Sequence, residues 1–134
     1  MSIASGPSSD EKWTRGSFRV TSSELTPDEV SQELDIEPTD LDEHKAGRTI
    51  WILESGLSSS NTADEHIDAL LTRLRPRAEA LRGLKGHCDI FLGFASGNGQ
   101  GGMVIPPRVL GELAALGIEL VLDLYPPEQS GPDG

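Results

Sequence analysis

The stretch from Thr62 to Leu84 constrains the fold more than any other part of this sequence. Thr62 and Glu65 form a capping box at its start, and acidic residues precede basic ones along it, as the helix dipole favours. Pro76 interrupts the pattern, which predicts a kink or two abutting helices. One apolar stripe runs along the stretch and requires a second layer to cover it; it consists of Ile67, Leu70, Leu71, Leu74, Ala78, Leu81 and Leu84.

Strands on either side of this helix supply the second layer. Alternating side chains predict five of them, within residues 13–21, 48–55, 87–95, 103–105 and 118–125. A glycine-rich hairpin turn is expected at 96–102, between the third and fourth strands. The strand at 48–55 is apolar on both faces, which is typical of a strand covered at least partly on both sides.

Two further helices are predicted from their ends. Residues 26–29 contain a threonine cap, a proline at the first helical position and a glutamate that completes a capping box, and Val30 and Leu34 form the apolar side. The other helix begins at Pro107 and ends at Gly117. Its inward side chains are expected to be Leu110, Leu113 and Leu116. Residues 35–47 are predicted to be a polar connection.

These elements predict an α+β fold. In chain order they read β-α-β-α-β-β-α-β, which indicates a two-layer sandwich of one mixed five-stranded sheet with about three helices mainly on one side. A single domain is expected over 12–125. The tails, 1–11 and 126–134, are rich in Ser, Pro, Gly and acids and are predicted to be disordered.

Composition excludes several classes of protein. The single cysteine, Cys88, cannot form an internal disulfide or a thiolate zinc site. No apolar run reaches the roughly 20 residues that cross a bilayer, and residues 1–10 lack the pattern of a signal peptide. A formal charge of −11 argues against nucleic-acid binding, which needs clustered Lys and Arg. We therefore expect a cytoplasmic protein that binds neither membrane nor nucleic acid.

The motifs predict no catalytic residue and no cofactor. Gly97, Gly99 and Gly102 have the spacing of a dinucleotide-binding loop, but an extended segment follows them where the helix should begin, which favours a hairpin turn. His87 and Cys88 are adjacent in a strand, so they point to opposite faces and cannot form a catalytic pair. Cys88 is interpreted as a buried structural thiol.

Two further groups of polar side chains contain residue types that are common in functional sites. Residues 40–44 carry four potential metal ligands, but they lack the regular spacing and the turn glycine of a calcium loop. A solvated acidic loop is the preferred interpretation, and no metal is expected. His66 lies in the first turn of the long helix and has no partner in the sequence pattern, so it is assigned no role.

The acidic residues are concentrated in one part of the chain. Residues 24–43 hold nine acids and no base, whereas 73–85 hold five bases and one acid. An acidic surface speeds association with a basic partner and discriminates against others. We therefore predict a non-enzymatic protein that binds and neutralises a basic partner protein, as an immunity protein or antitoxin does. The residues assigned to this surface are Asp28, Glu29, Glu33, Asp35, Glu37, Asp40, Asp42 and Glu43.

The alternative function is a small-ligand-binding or regulatory domain. Asp123 and Tyr125 share the face of the last strand that is opposite its leucines, and two basic residues lie beside the strand that contains Trp51. A carboxylate next to a tyrosine, with cations nearby, suits a small polar site. The predicted ligand-binding residues are Lys45, Arg48, Trp51, Asp123 and Tyr125. Cross-strand packing with an edge salt bridge is the other interpretation of the same residues.

A set of residues along the body of the chain matches a known family in order and spacing. The set comprises Leu25-Thr-Pro27, Val30, Leu34, Ile36, Pro38-Thr39, Lys45, Gly47, Trp51-Ile-Leu53, Leu70-Leu71, Gly101-Gly102, Leu113, Leu116-Gly117 and Leu122-Asp123-Leu124-Tyr125. On these residues, from about Phe18 to Tyr125, the chain resembles the bacterial domain of unknown function 4279 family. The resemblance implies a small α/β-type domain without an assigned activity, and it therefore assigns no catalytic residue.

Overall fold

The fold consists of one five-stranded mixed sheet with its helices on one face. A computed structural model describes residues 13–43, 47–95 and 103–125, and only the backbone of 42 and 43. The strands stand in the order β2-β3-β1-β4-β5, and β4 and β5 are parallel while the other pairs are antiparallel. They are β1 (Trp13–Ser22), β2 (Asp40–Glu43), β3 (Thr49–Glu54), β4 (His87–Ala95) and β5 (Glu119–Tyr125). The predicted α+β class and the mixed five-stranded sheet are confirmed.

The helices form where their end signals predict them. They are α1 (Pro27–Leu34), α2 (Ala63–Leu74), α3 (Ala78–Gly83) and α4 (Pro107–Leu116), with a 3-10 turn at Arg75–Arg77 between α2 and α3. Both capping boxes are present, at Thr26 and at Thr62. Pro76 lies in the 3-10 turn because it has no N–H to continue the helix, so the predicted interruption is confirmed.

The core lies between the sheet and the helices. Alternate residues of three strands face the helices and are almost completely buried; they are Phe18, Val20, Trp51, Leu53, Ile90 and Leu92. The indole N–H of Trp51 donates to Ser31 Oγ on α1 at 3.0 Å, and its ring meets Phe18 edge to face. The helices contribute Val30, Leu34, Ile67, Leu70, Leu71, Leu74 and Val109 to the same cluster. One face of the sheet is thereby covered, and no helix of the described residues covers the other.

One strand lies elsewhere than predicted. Residues 103–105 form no strand, whereas Asp40–Glu43, within the predicted polar connection, forms the edge strand β2. Leu41 pairs there with Trp51 of β3. A strand of four residues with three carboxylates has no apolar alternation, so its pairing depends on the neighbouring β3 rather than on its own pattern. The observed order is therefore β-α-β-β-α-α-β-α-β.

Helix α4, which contacts the edge strand β5, buries fewer leucines than predicted. Leu113 and Leu116 of α4 are buried, but Leu110 is 47% exposed and Val109 takes the inward position. Helix α4 contacts α2 and α3 as well as β5, which turns its buried side towards Val109. The predicted tails, 1–11 and 126–134, and the turn at 96–102 lie outside the described residues.

Candidate functional site

The sheet face away from the helices carries charged and aromatic side chains. The strand register places Arg15, Ser17 and Arg19 of β1 on this face, and their partners on the neighbouring strands face the same way. The partners include Glu54, Asp89, Phe91, Gly93, Val121, Asp123 and Tyr125. We call this surface the open face.

A cleft of about 540 Å³ lies at one end of the open face. Strand β3 ends at Glu54, opposite Ser17, so residues 13–16 of β1 have no strand beside them on that side. The loop after β3 fills part of this gap: Ser55 N donates to the Gly16 carbonyl at 3.0 Å, and Thr14 N donates to the Ser59 carbonyl at 2.8 Å. The cleft is therefore bounded by strands on one side and by loop 55–59 on the other.

Three aromatic rings line the strand side of the cleft. Trp13 and Tyr125 lie with their ring centroids 5.0 Å apart at an angle of 50°, and Phe91 is the third ring. Gly93 lies under the first two: a Cβ built there would be 3.4 Å from Tyr125 Cε1 and 3.6 Å from Trp13 Cζ3. A hydrogen bond with the Asp123 carboxylate raises the pKa of Tyr125 further above its ordinary value.

The charged groups around the cleft differ in whether they are paired. Arg19 binds Asp89 through two hydrogen bonds, of 2.9 and 3.1 Å, and its guanidinium lies 4.5 Å from the centroid of Phe91. Asp89 is 4% exposed, so this ion pair is largely desolvated on the carboxylate side. Arg15 and Glu54 form no ion pair with other described residues, and both are exposed at the cleft.

His66 lies at the bottom of the cleft beneath β1. The residue is 1% exposed, and its Nδ1 shares a hydrogen bond of 2.6 Å with Ser55 Oγ; Leu57 N donates to the same oxygen at 3.2 Å. A Cβ built on Gly16 would be 2.8 Å from His66 Cβ, so only glycine leaves room for the ring. Within the described chain, Nε2 is buried without a hydrogen-bond partner of normal geometry.

Burial also decides the charge of this histidine. Desolvation lowers the pKa of His66, while the backbone groups of Ser58 and Thr14 act in the opposite direction and only partly offset it. The imidazole is therefore neutral at pH 7. The contact between Nδ1 and Ser55 Oγ joins loop 55–59 to α2, and no carboxylate of the described residues binds Nε2.

The structure separates the ligand-binding residues predicted from the sequence. Tyr125 lines the cleft, and Asp123 interacts with it. Trp51 lies on the opposite face, in the core, because β3 is apolar on both sides and its Trp51–Leu53 side faces the helices. Arg48 precedes β3 at the far end of the sheet, since β3 and β1 are antiparallel and the cleft lies at Glu54. Lys45 lies outside the described residues.

The residues predicted to bind a basic partner lie on two elements. Asp28, Glu29, Glu33, Asp35 and Glu37 are exposed on α1 and the segment after it, whereas Asp40, Asp42 and Glu43 belong to β2. Three of them have internal partners: Asp35 accepts from Arg77 Nη2 at 2.8 Å, Glu29 completes the capping box of α1, and Asp40 Oδ1 accepts from Leu41 N at 2.8 Å. The side chains of Asp42 and Glu43 lie outside the described part of the chain.

Two sequence interpretations concern side chains next to the open face. Cys88 is 7% exposed on the helix face, and burial raises the pKa of its thiol to about 11, which fits the predicted structural thiol. Exposed His87 instead pairs with Glu119 at 2.9 Å.

Among the described residues, no three His, Cys, Asp or Glu side chains are grouped to hold a metal. His44, which belongs to the predicted acidic cluster, lies outside the described residues.

Sequence reasoning missed most of the residues that line the cleft. The signal was present in β1, where Trp13, Arg15 and Ser17 alternate with the buried side of the strand. Such alternation indicates a polar face that carries an aromatic ring, but it does not show which loop closes the site. His66 and Ser55 are eleven positions apart on different elements, so only the tertiary structure brings them together.

Comparison with known proteins identifies a family and nothing more specific. The family profile described as Domain of unknown function (DUF4279) matches residues 11–127, which is most of the chain. No curated protein and no solved structure matches it. Within the described residues, no helix is both long enough and apolar enough to cross a membrane.

Proposed function

This chain belongs to the domain of unknown function 4279 family, and we propose that it is a non-enzymatic binding domain that holds a small, flat organic molecule in the cleft of the open face. The observation that carries the proposal is a preformed cleft of about 540 Å³ with aromatic rings on one side and polar groups around it. Sites for small molecules combine apolar walls with a few placed polar groups in this way.

The cleft suits a ligand with one aromatic ring and one acidic group. Trp13, Phe91 and Tyr125 offer ring surfaces, against which a flat molecule buries apolar area. The guanidinium of Arg15 lies 5.1 Å from the Trp13 centroid, next to these rings, and has no carboxylate partner among the described residues. A guanidinium forms two parallel hydrogen bonds with a carboxylate, so an aromatic carboxylate fits both features.

Three probes of one shape and different charge test this proposal: benzoate, benzamide and benzamidine. We expect benzoate to bind most tightly and to shift the backbone amide resonances of residues 13–17 and 91–93 in two-dimensional NMR titrations. Arg15→Met should weaken benzoate about threefold to tenfold, since a hydrogen bond to a charged group contributes ~1.5 kcal/mol or more before solvent screening. Benzamide binding should not change.

Filling the cleft provides a second test with a matched control. Gly93→Leu places a side chain under the rings of Trp13 and Tyr125 and should abolish binding of all three probes. Gly111→Leu adds the same side chain on the exposed side of α4, where a Cβ meets nothing within 4 Å, and should bind as the wild type does. Binding that survives Gly93→Leu, or a preference for benzamidine over benzoate, would contradict the proposal.

Binding of a basic protein is a second candidate function, favoured by the sheet edge at β2. Three of the four residues of β2 are acidic, and exposed Asp28 and Glu33 lie on α1, which packs on the adjacent β3. Carboxylates along an edge strand attract a basic partner and also discourage strand pairing. We propose this surface for a protein partner, whereas the cleft takes the small ligand.

Affinity capture at low and high salt tests the second candidate. A partner held by this surface should be lost at high salt and should not be captured by Glu33→Lys combined with Asp40→Lys. The control is Glu79→Lys, a single charge reversal of the same kind on exposed α3, which should capture as the wild type does. Capture that is indifferent to salt or to the charge reversals would reject a charged interface.

A further inference from the structure

We propose that two copies of this chain join through β5, edge to edge, and extend the sheet to ten strands. Strand β5 ends the strand order, so one side of its backbone has no neighbour in the described structure. It is seven residues long and contains no proline, lysine or arginine. Unpaired strands of this kind are templates for pairing with another chain.

The two edges of the sheet differ in the features that prevent pairing. Strand β2, at the other edge, is four residues long and carries three carboxylates. Short length and charge are the usual means by which natural sheets block edge pairing. Strand β5 is longer, with seven residues, and its helix-side face carries no charge: Leu122 is 53% and Leu124 60% exposed there. The sequence thus protects one edge of the sheet and leaves apolar side chains at the other.

A second copy suits this edge because one symmetric register avoids like charges. Two copies related by a twofold axis perpendicular to the sheet pair antiparallel, with side chains on matching faces directly opposite each other. A register centred on Val121 puts Glu119 opposite Asp123, and one centred on Asp123 puts two aspartates together. The register centred on Leu122 avoids both conflicts; it pairs Glu119 with Tyr125, Leu120 with Leu124, Val121 with Asp123, and Leu122 with its counterpart.

The same register buries the exposed leucines. On the helix side, Leu120, Leu122 and Leu124 of both copies form one continuous stripe, whose exposed area is removed from water. On the open face, Glu119 and Asp123 each face an uncharged side chain of the other copy. Charge and apolar surface therefore favour the same pairing, and neither depends on the ligand proposed for the cleft.

The oligomeric state of the full chain tests the inference. Light scattering after gel filtration should give about twice the chain mass of 14.3 kDa at high protein concentration and fall towards that mass on dilution. Leu122→Lys places two ammonium groups opposite each other and should give the monomer mass at every concentration. Leu41→Lys, at the β2 edge, should leave the association unchanged, because Leu41 is 43% exposed but outside the interface.

A mixing experiment tests the register itself. Leu122→Lys and Leu122→Glu should each be monomeric, and their mixture should associate, because lysine and glutamate then face each other across the axis. The circular dichroism spectrum and melting temperature of each variant show that it is folded. A wild type that stays at 14.3 kDa on concentration, a Leu122→Lys variant that still associates, or a mixture that stays monomeric would overturn the proposal.

Discussion

Two glycines show how the position of one residue decides the effect of the same substitution. A Cβ at Gly16 would lie 2.8 Å from His66 Cβ and 3.3 Å from Leu92 Cδ2, both in well-packed surroundings. Gly111 lies inside α4, and a Cβ there meets nothing within 4 Å. The strand glycine is thus required by a close approach, whereas the helix glycine only costs backbone entropy.

We therefore predict opposite changes in stability for the two alanine variants. Gly16→Ala should lower the free energy of unfolding by about 1–3 kcal/mol, as other overpacked sites do. Gly111→Ala should raise it by about 0.5–1 kcal/mol, because alanine is the better helix former. Urea denaturation of both variants measures these changes. A Gly16→Ala variant as stable as the wild type would show that His66 moves freely, contrary to its packing here.

His66 also makes stability depend on pH. The folded chain lowers the pKa of His66 below the ordinary value of about 6.5, so below that pH the unfolded chain binds more protons than the folded one. Stability should therefore fall as the pH is lowered from about 6.5. In urea titrations, His66→Gln should lose this part of the pH dependence, and His87→Gln should keep it. Equal slopes in His66→Gln and the wild type would contradict the prediction.

At the scale of elements, the helix ends are defined by local hydrogen bonds. In α1, Thr26 Oγ1 accepts from Glu29 N at 3.2 Å and Thr26 N donates to Glu29 Oε1 at 2.9 Å. In α2, Thr62 and Glu65 make the same two contacts, at 3.3 and 2.9 Å. Each box satisfies two N–H groups that the helix itself leaves unpaired.

Removal of either cap should destabilise the chain, but with different consequences for the cleft. Thr26→Ala and Thr62→Ala should each lower the free energy of unfolding by ~1 kcal/mol. Only Thr62→Ala should also weaken benzoate binding, since α2 carries His66 at the bottom of the cleft. Denaturation and NMR titration of both variants provide the comparison. Equal loss of benzoate binding in the two would show that the cleft responds to global stability alone.

At the scale of the whole molecule, the single cysteine reports on opening of the core. Cys88 lies on β4, with β1 and β5 on either side, and is 7% exposed. Burial raises the pKa of its thiol to about 11, and the thiolate is the form that reacts. Native chain should therefore resist alkylation at pH 8.

Alkylation of the chain reports on Cys88 alone, because the sequence contains no other cysteine. We expect iodoacetamide to modify Cys88 slowly, at a rate that rises with urea in proportion to the unfolded fraction. Mass spectrometry measures the extent of labelling over time. Fast labelling without urea, at the rate of a free cysteine, would show that β4 opens locally while the rest of the fold stays intact.

Local patterns determined much of this fold from the sequence alone. The capping boxes, the break at Pro76 and the alternation in β1 and β4 depend on neighbouring residues, and all of them appear where predicted. The family follows from the order and spacing of such residues. Hydrogen bonds at helix ends and side-chain periodicity act over a few positions, which is why they can be read without a structure.

Only the tertiary structure decided which side of each strand or helix faces the core. Strand β3 has two apolar sides, and packing against α1 places Trp51 in the core, away from the other residues of the predicted ligand site. Strand β2 has no pattern of its own and forms because β3 offers a free edge. The cleft arises where β3 stops short of the start of β1 and His66 meets Ser55. These features depend on contacts between distant residues, and no local periodicity encodes them.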